Sequence, residues 1–403
     1  MTATRPAYRV AITGLGGLCA LGLNVPSLWA ALLQGRCGIG PITAIPTDRI
    51  AARLAGQCAF DATAHFPPQR LALLDRASAM AVVAAREAVR DAALVPDAGA
   101  AHRRGVVLGA PIGQASLDQA YWAFYGESAA RVHPFTVPRL MPNAAASQVS
   151  MDQMLRGPGF AIASACASSA HAIGQAADLI RMGRADVMLA GGSDASIVVG
   201  VFKCWEGLRV LSQDGCRPFS KDRSGLVLGE GAAVLVLERW EHAVARGARI
   251  VAELAGFGMS ADGLDITAPD AGGAAASMQG ALDDAGFAPR DIGYVNAHGT
   301  GTLLNDRTET AALHRVFGAD VPPVSSSKGA LGHTLCAGGG LEALITVLAL
   351  RDQTLPPTVG FRVADPDCDI DPVPTARTAP VRAALSNSFA FGGLNATLAF
   401  STP

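Results

Sequence analysis

Short apolar runs alternate along the chain with longer stretches in which apolar residues recur every three or four positions. The apolar runs predict buried strands at 8–13, 105–108, 187–190, 232–237 and 292–296. The amphipathic stretches predict helices at 26–33, 71–93, 168–183, 274–285 and 306–317. Residues 41–70 and 352–380 are rich in proline and predict irregular chain. This alternation of strand and helix indicates an α/β protein.

The pattern starts again near residue 250. The segment RVAITGLGG at 9–17 and the segment IVAELAGFG at 250–258 both read as a strand that runs into glycines. We interpret the glycines at 14–17 as a tight turn after the first strand. The two series of strands and helices predict an internally duplicated fold, with one half at 1–250 and the other at 251–403.

Residues 157–195 predict a strand, a cysteine, a helix and a second strand. Cys166 stands between small residues at the start of this helix, and Gly183 marks the helix end. The partial positive charge of a helix N-terminus favours thiolate over thiol, and small neighbours let a substrate reach the sulfur. The alternative for Cys166 is a buried structural cysteine.

Composition excludes several classes of protein. The chain has 403 residues, a formal net charge of −2 and only 16% charged residues, which disfavours a nucleic-acid partner and favours an oligomer. Its eight cysteines form no CxxC pair, which is typical of a reducing, cytoplasmic setting and disfavours structural zinc. No run reaches the roughly 18 apolar residues that a membrane span needs. The glycines of GLGGLC match a dinucleotide-binding fingerprint only weakly. We interpret the aromatic residues at 121–125 as packed side chains rather than as a platform that stacks on bases.

Three further segments contain candidate chemistry. His298 lies in NAHGTGT directly after a predicted strand, and His333 ends SSSKGALGH, with glycines that let a ligand approach each ring. The loop Phe391-Gly392-Gly393 offers backbone N–H groups to an oxyanion. Simpler alternatives are a structural ion pair between Lys328 and Glu342, and a solvated helix start for the acidic and basic residues Asp306, Arg307 and Glu309.

Taken together, five motifs resemble those of the β-ketoacyl-acyl carrier protein synthases, in the synthase I/II branch. They are SACASS, RPFSKDRSGLVLGEGAA, NAHGTGT, SSSKGALGH and NSFAFGGLN, and the resemblance extends from residue 9 to 400. It implies the thiolase fold, in which two βαβαβαββ halves stack as αβαβα layers and the protein is usually a dimer. That dimer would be a homodimer, or a heterodimer with a paralogous ketosynthase or chain-length factor.

The resemblance also implies roles for individual residues. Cys166 corresponds to the nucleophile, His298 and His333 to the catalytic histidines, and Lys328 to the family lysine. The N–H of Phe391, with that of Cys166, corresponds to the oxyanion hole, and the Phe391 ring to a gate. Asp306 and Glu342 correspond to the acidic network, and Ile112 corresponds to a residue of the acyl pocket. Arg209 corresponds to the carrier-protein surface, with Arg70 and Arg76 as weaker candidates.

The implied reaction is a decarboxylative condensation. The cysteine takes an acyl group from the phosphopantetheine arm of acyl carrier protein, and a malonyl thioester then loses CO₂ and attacks it. No metal or nucleotide cofactor is expected. The alternatives are a non-catalytic chain-length factor, which typically lacks the nucleophile, and a thiolase, which uses a second cysteine. We interpret Cys336, three residues after His333, as packing rather than as that second cysteine.

Several positions depart from the family pattern. Ala390 stands where glycine is usual, Leu394 where threonine is usual, and Leu303 where proline is usual. Gly301 stands where housekeeping synthases often have serine. These departures affect the substrate rather than the reaction, and they favour a dedicated pathway to a polyketide, polyene or specialised lipid over bulk fatty-acid synthesis.

Overall fold

The computed structural model describes residues 8–111, 114–128 and 131–403. Its strands are β1 Val10–Cys19, β2 Gly40–Pro41, β3 Leu54–Ala55, β4 Arg104–Gly109, β5 Gly159–Ile162, β6 Val187–Asp194, β7 Gly231–Arg239, β8 Ala252–Ala261, β9 Ile292–Asn296, β10 Val324–Ser325, β11 Thr354–Leu355, β12 Arg377–Thr378, β13 Ala383–Ala390 and β14 Leu394–Ser401. Its α-helices are α1 Val25–Leu33, α2 Pro68–Leu71, α3 Arg76–Asp91, α4 Gln114–Tyr121, α5 Thr136–Leu140, α6 Ala144–Asp152, α7 Ser168–Arg181, α8 Val199–Gly207, α9 Trp240–Ala245, α10 Ala271–Ala285, α11 Leu303–Phe317, α12 Lys328–Leu331 and α13 Gly338–Asp352.

Ten strands form one sheet in the order β10-β9-β13-β14-β8-β1-β7-β6-β4-β5. The sheet consists of two halves with the same arrangement. In one half β5, β4 and β6 run parallel, β7 pairs antiparallel with β6, and β1 pairs antiparallel with β7. In the other half β10, β9 and β13 run parallel, β14 pairs antiparallel with β13, and β8 pairs antiparallel with β14. The halves meet at β1 and β8, where the pairing covers only Ala11 with Glu253 and Ile12 with Ala252.

Helices cover both faces of each half-sheet. α7 and α13 pack against each other and lie between the two halves, while α3 and α6 cover the outside of one half and α10 and α11 the outside of the other. Each half therefore runs βαβαβαββ in chain order, as predicted. The helix α13 is buried on all sides from residue 338 to 350, as expected for the central layer of five. The division at residue 250 stays a prediction.

The glycines of β1 have a different role from the one predicted. The strand continues through them to Cys19, so the tight turn predicted at 14–17 is wrong. A Cβ atom on Gly16 would lie 2.0 Å from the carbonyl oxygen of Ala84 on α3. In the other half, a Cβ on Gly258 of β8 would lie 2.0 Å from the carbonyl oxygen of Ser277 on α10. In both halves a glycine lets a helix approach the strand closely. This shared contact is a further similarity between the two halves of the duplicated fold.

Two other predictions need correction. The helix predicted at 71–93 is divided, because α2 ends at Leu71 and α3 begins at Arg76, where the carboxylate of Asp75 accepts the N–H of Ala77. The aromatic residues at 121–125, predicted to pack, are largely exposed in this chain alone: Tyr121, Trp122, Phe124 and Tyr125. Among the described residues, no helix combines the length and the apolar composition that crossing a bilayer requires.

Candidate active site

Cys166 lies in a short 3₁₀ turn, Ala165–Ala167, between β5 and α7. Ala165 has a φ of +47°, a left-handed conformation that is uncommon for residues other than glycine. The hydroxyl of Ser168 donates to the carbonyl of Ala165 over 2.6 Å and accepts the N–H of Ser164 over 2.9 Å. These bonds fix the turn and place Cys166 at the start of α7, as the sequence predicts.

His333 contacts the cysteine directly. Its backbone N–H donates to the carbonyl of Val227 over 2.7 Å, and its Nε2 lies 3.1 Å from the sulfur of Cys166. The N–H of Leu335 donates to Nδ1 of the same ring over 3.2 Å. Because Nδ1 accepts this bond, we assign the ring proton of the neutral histidine to Nε2, which then donates towards the sulfur.

His298 follows β9 and lies beside His333, with the two ring centroids 5.4 Å apart and the rings nearly perpendicular. The ammonium of Lys328 contacts Nδ1 of His298 at 3.3 Å and donates to the His298 carbonyl over 2.5 Å. An ammonium group has only donors, so Nδ1 must accept and Nε2 carries the ring proton. The two histidines are therefore both held as Nε2–H donors.

Charge and burial keep both rings neutral. Burial is the largest cause and lowers the pKa of His298 and of His333 well below the ordinary value of 6.5, and the nearby Lys328 charge lowers both further. Neutral Nε2–H groups suit the stabilisation of a developing oxyanion, since they donate a hydrogen bond without first giving up a proton.

The same burial acts on the nucleophile. It raises the pKa of the Cys166 thiol to about 11, while the charge of Lys328 lowers this pKa and that of Asp194 raises it. The sequence predicted that the helix N-terminus would favour the thiolate, without taking burial into account. In the structure burial has the larger effect on the pKa of this thiol. The hydrogen bond from His333 and the positive charge of Lys328 are the groups at this site that favour the ionised sulfur.

Lys328 also pairs with Glu342, and both side chains are only 2% exposed. Burial raises the pKa of Glu342 to about 7, and the adjacent ammonium opposes the rise. The structural ion pair that the sequence offered as an alternative is therefore present. It does not exclude a role in the site, because the same ammonium contacts His298.

Glu309 is a residue of the site that the sequence analysis interpreted only as part of a solvated helix start. Its buried carboxylate accepts the N–H of His298 over 2.9 Å and the N–H of Gly299 over 2.8 Å. Asp306 is equally buried and accepts the N–H of Phe219 over 2.8 Å. The prediction of a solvated helix start is therefore wrong for Asp306 and Glu309. It holds for Arg307, which is exposed and pairs with Asp367. The spacing of Asp306 and Glu309 was the available signal, since residues three apart share a helix face.

A cavity opens onto Cys166, His298 and His333. Phe391 lies at this cavity and is 37% exposed, and its ring stacks on that of Trp205. Apart from these residues, the lining is mostly apolar, with three threonine hydroxyls and the amide of Asn305: Val210, Leu226, Ile266, Thr267, Ala268, Pro269, Thr300, Thr302, Leu304, Asn305, Phe389, Ala390 and Gly393. The cavity suits a long substrate that is mainly apolar.

Arg209, Arg76 and Cys336 are not among the residues that line this cavity. Arg209 is exposed, whereas Arg76 is bound to Glu230 and to two backbone carbonyls, so Arg76 is not a free surface cation. Cys336 lies in a second turn, Leu335–Ala337, where its sulfur contacts the carbonyl of Ala110 at 3.4 Å. Ile112 lies outside the described residues. Across the described ranges, no three His, Cys, Asp or Glu side chains are grouped to hold a metal ion.

Two family models match successive parts of the chain. Residues 7–243 match the beta-ketoacyl synthase N-terminal domain, and residues 251–362 match the beta-ketoacyl synthase C-terminal domain. Nodulation protein E of Rhizobium sp. (strain N33) is 48% identical over 396 residues, which cover 97% of this chain and 98% of that protein. The 3-oxoacyl-[acyl-carrier-protein] synthase 2 of Staphylococcus aureus (strain COL) is 41% identical over 404 residues, with coverage of 97% and 98%.

Solved structures extend the likeness to the fold. The ishigamide ketosynthase/chain length factor superposes with a TM-score of 0.94 at 36% identity, covering 98% of this chain and all of that chain. A type II polyketide synthase acyl-carrier protein in complex with its ketosynthase gives a TM-score of 0.90 at 29% identity, covering 99% of this chain and all of that chain. The fold is the thiolase fold, and the chain belongs to the β-ketoacyl synthase family.

Proposed function

We propose that this β-ketoacyl synthase, an acyltransferase, uses Cys166 as its nucleophile. The sulfur attacks an acyl thioester on the phosphopantetheine arm of acyl carrier protein, and the thiol of that arm leaves. The backbone N–H groups of Cys166 and Phe391 stabilise the oxyanion of the tetrahedral intermediate. The observation that supports this most strongly is the 3.1 Å contact between the Cys166 sulfur and the Nε2–H of His333.

The second half-reaction uses the histidine pair. The thioester oxygen of a malonyl group accepts hydrogen bonds from Nε2–H of His298 and of His333, and loss of CO₂ leaves an enolate that these donors stabilise. The enolate carbon attacks the acyl group on Cys166, which forms a carbon–carbon bond and releases the cysteine sulfur. The product is a 3-oxoacyl thioester on the carrier protein. Lys328, Glu342 and Asp306 act indirectly, by holding the loops that position the histidines.

The carrier protein is proposed to dock beside the cavity mouth. Arg209 is exposed and lies four residues after Trp205 and directly before Val210, both of which line the cavity. A cation at this place suits an acidic carrier protein whose arm must reach Cys166. The solved ketosynthase complex with an acyl-carrier protein supports a partner of this class.

The partner chain is proposed to pair along β5. This strand ends the sheet, and two of its residues, Gly159 and Phe160, are exposed, whereas both residues of β10 at the opposite edge are buried. An exposed edge strand with an apolar side chain is a template for another strand. The partner is a second copy of this chain or a paralogous ketosynthase or chain-length factor, and we place the assembly in the cytoplasm.

The pathway is proposed to be a dedicated one. Leu303 and Leu394, which replace the usual proline and threonine, are both exposed. They add apolar surface at the start of α11 and directly after the loop of Phe391. The product class is therefore proposed to be a polyketide, a polyene or a specialised lipid. The acyl group found on the protein co-purified from its host tests this, and a pool of ordinary saturated fatty acyl chains would contradict it.

Intact-protein mass spectrometry tests the reaction itself. We expect one acyl group on the protein after incubation with acyl-loaded carrier protein, and a 3-oxoacyl carrier protein after addition of malonyl-loaded carrier. A chain-length factor would show neither product. A thiolase would instead be acylated by cleavage of a 3-oxoacyl-coenzyme A, with release of acetyl-coenzyme A, and would transfer the shortened acyl group to coenzyme A. Absence of acylation with all carrier-bound substrates would end the proposal.

A further inference from the structure

Trp205 and Phe391 form an aromatic pair at the cavity. Their ring centroids lie 5.8 Å apart and the ring planes differ by 25°, which is an offset stack. Trp205 belongs to α8, whereas Phe391 directly follows β13. Both rings line the cavity that contains Cys166. The stack therefore links two distant segments beside the nucleophile.

Hydrogen bonds hold the backbone after Phe391, but they do not hold its ring. Gly392 and Gly393 have φ values of +85° and +67°, in the left-handed region. The N–H of Gly392 donates to the carbonyl of Ile266 over 2.7 Å, and that of Gly393 donates to the carbonyl of Ala390 over 3.0 Å. These bonds hold the peptide groups that follow Phe391. The position of the ring itself depends on the side chains against which it packs.

Trp205, by contrast, lies on a well-anchored helix. Phe202, three residues earlier on α8, is fully buried. The carboxylate of Glu206 accepts the N–H of Ala52 over 2.9 Å and also that of Ala51. These contacts fix α8 against the segment at 51–52, so the indole is the fixed partner of the pair and the Phe391 ring is the one it restrains.

We propose that Trp205 is a positioning residue, which through its stack holds Phe391 in place for acyl transfer to Cys166. The proposal rests on the reaction proposed above, in which the N–H of Phe391 stabilises the oxyanion. Trp205 touches no reacting atom and acts only through Phe391. An aromatic pair of this kind contributes modestly, so its loss is expected to slow acyl loading about 2- to 10-fold.

The two half-reactions separate this role from a structural one. Decarboxylation of the malonyl thioester depends on His298 and His333, which Trp205 does not hold. Acyl loading depends on Phe391. A change that only disturbed the fold or the cavity wall would slow both half-reactions, whereas loss of the positioning contact slows loading alone.

The experiment compares three variants in single-turnover acyl loading and in malonyl decarboxylation, with the melting temperature measured for each. Trp205→Leu removes the stack, and Trp205→Phe retains an aromatic face. Trp240→Leu is the matched control, because it makes the same change on α9, where the indole packs under the guanidinium of Arg9 and not at the cavity. We expect slower loading in Trp205→Leu only, recovery of most of the rate in Trp205→Phe, and decarboxylation near the wild-type rate in all three.

A double variant checks the route of the effect. If Trp205 acts through Phe391, then Trp205→Leu has little further effect on loading in a Phe391→Leu background. Additive losses would overturn the proposal, as would normal loading in Trp205→Leu or equal losses in both half-reactions. A wild-type protein that takes no acyl group at all would instead end the proposed function, and this inference with it.

Discussion

The sulfur of Cys166 lies 3.1 Å from Nε2 of His333, although 167 residues separate the two along the chain. Cys166 lies in the turn before α7, and His333 lies two residues before the turn that precedes α13, the equivalent helix of the other half. The turns share a residue in the left-handed region, Ala165 with a φ of +47° and Leu335 with a φ of +46°. The central cysteine of the second turn, Cys336, therefore occupies the place that Cys166 occupies in the first.

This equivalence makes Cys336 the appropriate control for the nucleophile. We expect Cys166→Ala to abolish acyl loading and Cys336→Ala to retain it, because only Cys166 contacts His333. Peptide mapping of the acylated protein measures the site directly. An acyl group found on the peptide that contains Cys336 would contradict the assignment.

The histidines should matter most where the enolate forms. His298→Ala or His333→Ala is expected to slow malonyl decarboxylation roughly 10²- to 10⁴-fold, the usual range for a positioned donor. Lys328→Ala should also be slow, because it frees the ring of His298. The rate of CO₂ release measures this, and wild-type rates in both histidine variants would rule out the mechanism.

Neutral histidines also predict a pH dependence. Since the pKa of each is lowered, protonation begins only well below the ordinary value of about 6.5. Decarboxylation should therefore stay constant as the pH falls from roughly 8 to 6. The contribution of these two histidines to stability should fall below about pH 6.5, because in the unfolded chain they then bind protons that the folded rings do not. An acid limb in the rate centred near pH 6.5 would show that these rings titrate freely.

The raised pKa of Cys166 has the opposite consequence. With its pKa at about 11, the thiolate fraction rises throughout the neutral range. The alkylation rate of this cysteine by iodoacetamide should increase about tenfold per pH unit between roughly pH 7 and pH 9. Cys166→Ala supplies the background from Cys37 and Cys204, which are exposed. A rate that is already constant near pH 7 would mean that the helix N-terminus outweighs burial.

Glu309 should be important for stability as well as for the site. Glu309→Ala leaves the buried N–H groups of His298 and Gly299 without their acceptor, at a cost of about 1–3 kcal/mol for each. Denaturant unfolding measures the loss, and decarboxylation should fall with it because the His298 loop loses its support. Arg307→Ala, two residues away and exposed, is the control, and equal stability of the two variants would contradict the role of Glu309.

Arg209 should act on the carrier protein alone. Arg209→Glu is expected to raise KM for carrier-bound substrate and to weaken its salt dependence, because it removes a cation from the mouth of the cavity. Arg249→Glu, at an exposed residue that pairs with Asp91, tests for a general effect of charge. The assignment fails if both variants behave like the wild type with carrier-bound substrate.

The sequence best predicted those features of the protein that a short motif or the spacing of apolar residues determines. Cys166 was recognised from its small neighbours at the start of a predicted helix, and His298 and His333 from the glycines around them. The structure places all three at one cavity. The glycines of β1 were misread, since a glycine looks the same in a turn as it does where a helix comes close. Glu309 was misread as solvated, because its burial and its contacts with the N–H groups of His298 and Gly299 arise only when distant segments come together.

The two half-sheets pair directly over only two residue pairs, and the fully buried helix α13 lies between them. Most of their cohesion therefore comes from this central layer, and either half alone would expose it to water. The nucleophile and the two histidines belong to different halves, so a single covalent chain fixes their stoichiometry at one cysteine to two histidines. Whatever partner pairs along the proposed edge β5, each copy of this chain brings the proposed nucleophile and both proposed catalytic histidines.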